Sequence, residues 1–223
     1  MSEHLRPVSH PGQAETLVHF TGRARRQYAP EVYFLTPTGI LDLIVTEERL
    51  LAKPTFGTDR RVVCLSESDI RGVEALLSTG QFEGWGVVLR RDWVWRQGGG
   101  PIWYARDDVW QAVRDRGEQD LLQWMVRTSP QTADWLHERE WRIPVSDEYL
   151  DLSVGGVVAL LVSNPDWQPF RPAPTVQWGD GRLAAVEVTN HIASEVPRWY
   201  WDGRRITVLP PVPFEEELLG FVD

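Results

Sequence analysis

Cysteine is almost absent from this chain. Cys64 is the only one in 223 residues, so no intramolecular disulfide can form, and a reducing, cytoplasmic setting is the expectation. Long apolar runs are missing as well. A membrane helix needs roughly 18–20 consecutive apolar residues. The longest stretch here, Gly155 to Val162, falls well short of that and reads as a buried strand. Met1 to Gln13 has no apolar segment of the kind a secretory signal requires. Lysine is nearly missing too: of 23 basic residues only Lys53 is a lysine, and the rest are arginines. Arginine predominance suits planar recognition of anions, and a biased nucleotide composition produces the same pattern.

There is no surplus of positive charge. The formal net charge of −9 argues against nonspecific binding to nucleic acid, which depends on neutralising phosphates, although a local basic groove stays compatible with it. His4, His10, His137 and His191 are too scattered to read as a metal site, and no metal is expected. Gly98-Gly99-Gly100-Pro101 lacks the Lys-Ser/Thr pair that would make it a phosphate loop, so it reads as a helix stop and turn.

What is present is a hydrophobic content of 42%, enough for one sizeable core, and twelve tryptophans. Short β-rich runs occur at Leu17–Thr21, Arg61–Leu65, Trp85–Leu89, Ile102–Tyr104, Trp141–Val145, Val157–Val162, Leu183–Val188 and Arg205–Leu209. Helices are expected from Pro37, capped by Thr36; after Ser68 as cap; over Arg91 to Gln97; and over most of Asp107 to Arg127. Strands mixed with helices, without regular βαβ alternation, indicate an α+β fold. Residues 1–15 read as a loose polar arm and 16–223 as a single domain. Trp199-Tyr200-Trp201, flanked by Arg198, Arg204 and Arg205, reads either as a hairpin turning at Asp202-Gly203 or as an exposed contact for a partner or nucleic acid.

Three sets of residues invite chemistry. His19 and Thr21 are two apart in a strand and share one side, with Gly22 permitting a close backbone approach. The bland alternative is a histidine satisfied in the core. Glu138, Glu140 and Arg142 share one face if the segment is extended, while Arg139, Trp141 and Ile143 share the other, core-facing side. That first face is either a carboxylate site or an ion pair. Ser66 and Ser68 follow a strand; Ser66 could donate to a phosphate or to the carboxylates. Cys64, mid-strand between apolar residues, reads as buried and inert.

Four segments in order resemble the AbiGi family of abortive phage-resistance proteins. They are Leu17-Val18-His19-Phe20-Thr21; Val63-Cys64-Leu65-Ser66-Glu67; Gly84 to Trp93, continuing through Gly100-Pro101-Ile102-Trp103-Tyr104; and His137-Glu138-Arg139-Glu140-Trp141-Arg142. The resemblance spans a core of about residues 16–165 and leaves 166–223 as C-terminal strands packed on it. It implies the antitoxin-side partner of a phage-defence pair. The same order of motifs is similar to DNA ADP-ribosyltransferase toxins. That similarity implies a central split, antiparallel-rich sheet with flanking helices and a pocket for NAD. His19, Thr21, Gly22 and Ser66 would contact NAD. Glu140 would stabilise the oxocarbenium-like ribose, and Glu138 would orient an acceptor, DNA or RNA. On this reading His19, Thr21 and Glu140 line one cleft. The alternative is a noncatalytic interaction protein, its acidic charge suited to a basic partner toxin.

Overall fold

The computed structural model of the chain describes residues 13–23, 36–55, 57–129, 136–169, 175–177, 183–185 and 191–212. Residues 1–12 of the arm expected at 1–15, the arginine-rich segment after Arg23, and Trp135 lie outside the described residues. Strand β1 (Thr16–Phe20) leads to helix α1 (Pro37–Glu47), short strands β2 (Arg49–Leu51) and β3 (Lys53–Pro54), and β4 (Arg61–Glu67). Helix α2 (Ile70–Ser78), β5 (Gly86–Arg90), α3 (Arg91–Arg96) and β6 (Gly100–Pro101) follow. Next come β7 (Trp103–Arg106), α4 (Asp107–Asp115), α5 (Gln119–Leu122), β8 (Met125–Thr128) and β9 (Glu140–Pro144). The remainder is β10 (Tyr149–Asp151), β11 (Val157–Val162), β12 (Thr175–Gln177), β13 (Leu183–Ala185), α6 (His191–Glu195), β14 (Arg198–Trp201) and β15 (Ile206–Leu209).

Nine strands form one sheet in the order β15-β14-β11-β5-β1-β4-β9-β6, with β3 beside β4. All its ladders are antiparallel except β11 with β14. The fold is α+β, as the mixture of elements indicates. The two ladders of β1 are unequal. It pairs with β5 over five residues, from Thr16 opposite Arg90 to Phe20 opposite Gly86, but with β4 only at Leu17–Glu67 and Val18–Ser66. Beyond Val18, β1 and β4 no longer pair.

Alternation along the strands gives the sheet two buried faces. On one, Leu17, Val63, Leu65, Val87, Leu89, Trp141, Ile143 and Leu160 pack with Leu41, Ile44 and Val45 of α1, Trp93 and Val94 of α3, and Ile192 of α6. On the other, Val18, Val88, Ala159, Leu161 and Trp199 pack against Val73, Leu76 and Leu77 of α2. Each large aliphatic side chain fully buried this way contributes about 1.5–3 kcal/mol. Ala105, Trp110, Leu122 and Met125 close a third, smaller core in the lobe made by β7, α4, α5 and β8.

Local chemistry explains several element ends. Thr36 accepts a hydrogen bond from the Gly39 amide with Pro37 at the first position, as the sequence indicates. The cap of α2 is Asp69, whose carboxylate accepts from the Gly72 amide, and not Ser68 as expected. The helical stretch expected over most of Asp107 to Arg127 is two helices, α4 and α5, parted where Gly117 takes φ 72°, and it ends where Met125–Thr128 pairs in parallel with β7. Trp199-Tyr200-Trp201 is spent on the hairpin reading, with β15 antiparallel to β14 and Gly203 at φ 95°. Among the described residues no helix is long and apolar enough to cross a membrane.

Candidate functional site

β4 is the strand that relates His19 to Glu140. Its residues Val63, Leu65 and Glu67 alternate onto the face of Leu17, because Glu67 lies opposite Leu17. On β9, Trp141 lies opposite Leu65 and Ile143 opposite Val63, so they share that face. His19 belongs to it too, two residues from Leu17 and opposite Val87. Glu140 lies opposite Ser66 and Arg142 opposite Cys64, which puts both on the other face. His19 and Glu140 therefore point to opposite sides of the sheet. The expectation of one cleft lined by His19, Thr21 and Glu140 is not met.

The nucleotide-contact candidates have other partners. The His19 Nδ1–H donates to the Cys64 carbonyl at 2.9 Å, in the stretch where the ladder between β1 and β4 has ended. This bond replaces a missing ladder contact. Burial holds the His19 imidazole below its usual pKa. The Thr21 hydroxyl donates to the Pro37 carbonyl at 2.8 Å and ties the end of β1 to the start of α1. Gly22 is tight against that same proline. A Cβ there would come within 2.6 Å of Pro37 Cγ, so close packing with the chain itself accounts for the glycine.

The carboxylates are also engaged. Arg142 Nε donates to Glu140 Oε1 at 2.8 Å, with side-chain exposures of only 3% and 12%. The Arg142 Nη1 group donates to the carbonyls of Gln123 at 2.7 Å and Met125 at 3.1 Å, stapling β9 to the neighbouring lobe. Glu138 is not in the strand. It sits in a 3-10 turn, separated from Glu140 by Arg139 at φ 45°, and is held by both terminal nitrogens of Arg23 at 3.1 and 3.0 Å. Arg139, Trp141 and Ile143 do take the opposite side from Glu140, as the alternation indicates.

Glu67 carries more contacts than any of these carboxylates. It accepts from the Ala14 amide at 3.0 Å, Arg139 Nη2 at 2.9 Å and Trp141 Nε1 at 3.0 Å, with Arg91 at 3.8 Å. Sequence reasoning passed over it. The available signal was a carboxylate in phase with Val63 and Leu65, since an acidic group on an apolar face must be paired. Tyr104 is the other residue passed over: its hydroxyl accepts from the Glu140 amide at 2.6 Å, and burial pushes its pKa up to about 12.

No family model, curated protein or solved structure matches the chain. What the arrangement can do is therefore argued from its chemistry alone. Ser66, Cys64, Glu140, Arg142 and Tyr104 gather on one side of the sheet. Ser66 is buried. Cys64 as a residue reaches solvent, where a buried one was expected, although its thiol is crowded by Glu140 and Arg142. Among the described residues, no group of three or more His, Cys, Asp or Glu side chains could hold a metal. A groove of about 330 Å³ lies elsewhere, along α2, lined by Ser68, Gly72, Ala75, His137 and Arg139 among others, and it includes neither His19 nor Glu140.

Cys64 combines access to solvent with a thiol pKa pushed up to about 12, first by burial and next by the Glu140 charge. At pH 8 its thiolate population should be about 1000-fold below that of an ordinary cysteine. Because a more basic thiolate is also more nucleophilic, modification by a disulfide reagent is expected to slow by less, roughly 30- to 100-fold. A rate within about threefold of free cysteine would contradict the raised thiol pKa.

Proposed function

We propose that this chain acts by binding a protein partner, as the noncatalytic, antitoxin-side member of a phage-defence pair of the AbiGi kind. The observation that carries the reading is the engagement of the carboxylates: Glu140 with Arg142, Glu138 with Arg23, and Glu67 with Arg139 and Trp141. Transfer of ADP-ribose needs a carboxylate aimed at the positive ribose of the transition state, in the same cleft as the groups that hold the nucleotide. Here the candidate histidine and glutamate lie on opposite faces. An acidic chain of net charge −9 also suits a basic partner, since complementary charge steers association.

One observation favours a second reading, an ADP-ribosyltransferase-like pocket with NAD as substrate and DNA or RNA as acceptor. Ser66, the last β4 residue paired with β1, stands opposite Glu140, and solvent-accessible Cys64 follows on the same side where β1 and β4 have parted. In that reading Ser66, Tyr104 and Glu140 hold the ligand, and His19, Thr21 and Gly22 serve the fold.

A thermal melt with NAD tests the two. A ligand at about 100 times its dissociation constant adds roughly 2.7 kcal/mol. For a chain of this size that raises the melting temperature by about 5–10 °C. The partner-binding reading expects no change at millimolar NAD. A saturable rise abolished by Ser66→Ala would overturn it in favour of the pocket.

A further inference from the structure

The two most exposed aromatic side chains of the described protein stand on either side of one short strand. Trp95 is 64% exposed and Trp103 51%. Trp95, from α3, and Trp103, at the start of β7, flank strand β6, on one edge of the large sheet. The rings of Trp95 and Trp124 reach 3.9 and 3.5 Å from the place a Cβ would occupy on Gly100. The Trp103 amide donates to the Trp124 carbonyl at 2.7 Å, and the Trp124 amide donates to the carbonyl of Leu121, another exposed apolar residue. Exposed apolar surface gathered in this way marks an interaction site more often than indoles scattered singly.

The charge around these residues indicates what covers them. Residues 90–128 carry seven arginines and six carboxylates, leaving sixteen basic and twenty-six acidic residues for the rest of the chain. Two copies of so acidic a protein repel one another over most of their surface. This segment is close to neutral. Its charges sit in exposed pairs of both signs, Arg96–Asp92, Arg106–Asp108 and Arg127–Asp107, with Arg60–Asp120 beside them. Such surface pairs hold weakly and can exchange partners. A mixed rim of this kind complements itself across a two-fold axis, where each arginine can meet the aspartate of the other copy. An apolar, aromatic centre with a polar rim is the anatomy of a protein interface. Nucleic acid would call for a surplus of arginine, and the balance of seven to six does not supply one.

We propose that the Trp95–Trp103 patch is the interface of a homodimer, covered by the same patch of a second copy of this chain. Sedimentation velocity on the full chain, from about 1 to about 100 µM, covers the range in which a modest interface populates. The expected result is a shift from 25.6 kDa to about twice that mass. Trp95→Ser with Trp103→Ser should hold the chain monomeric throughout while the chain stays folded, with a melt only modestly lowered by the loss of the Trp95 edge contact with Trp141. Trp103→Arg, which keeps bulk but sets two cations across the axis, should do the same. A monomer across the whole range, or a dimer that persists in both variants, overturns the proposal. Quenching of the tryptophan fluorescence of a monomeric chain by a short oligothymidylate would assign the patch to nucleic acid instead.

Discussion

Glu140→Gln is expected to cost about 3–5 kcal/mol of stability, the usual loss when one partner of a buried ion pair is removed. Arg142 is almost fully buried, and Glu140 is the carboxylate bonded to it. Glutamine keeps the shape but leaves a desolvated guanidinium without its counter-charge. For a chain of this length the melting temperature should fall by about 6–20 °C. The double substitution Glu140→Leu with Arg142→Met should recover part of this, because it removes both charges. It should not recover all of it. Arg142 also donates to the carbonyls of Gln123 and Met125, and each acceptor left without a donor costs about 1–3 kcal/mol. A normal melt for Glu140→Gln, together with loss of NAD cleavage, would instead make Glu140 a catalytic carboxylate.

Glu67→Ala should be of the same size, about 3–5 kcal/mol, for a different reason. Arg139 and Arg91 reach solvent and can be rehydrated, whereas Trp141 Nε1 and the Ala14 amide are buried donors that lose their acceptor. The substitution also loosens Arg139. Its φ of 45° is held by two bonds to the same residue, Glu67 N–H to the Arg139 carbonyl and Arg139 Nη2 to the Glu67 carboxylate. Glu67→Gln should recover some of the loss, since its amide oxygen can accept from one of the two buried donors. Urea denaturation reads both variants. A midpoint for Glu67→Ala within experimental error of the wild type would show that the network contributes nothing to the fold.

Local chemistry in the sequence was enough for the parts that depend on neighbours along the chain. Thr36 before Pro37 specifies the start of α1, Asp202-Gly203 the last hairpin, and the alternation of Glu140, Trp141, Arg142 and Ile143 the two sides of β9. It also marks the α+β class, because short strands and helices follow one another without βαβ rhythm. What it left open is how the sides of different strands relate. Period-two alternation assigns each strand two sides, but which side of β1 matches which side of β9 depends on the register of β4 between them, and a slip of one residue exchanges the faces. That register places Glu67 opposite Leu17 and Glu140 opposite Ser66, and so sets His19 and Glu140 apart. The Glu140–Arg142 pair was among the readings open from the sequence, whereas the partner of Glu138, the carbonyls that Arg142 also reaches, and the exposure of Cys64 and Trp95 were decided by tertiary structure. They depend on residues 17 to 115 positions away and on which parts of the sheet another element covers.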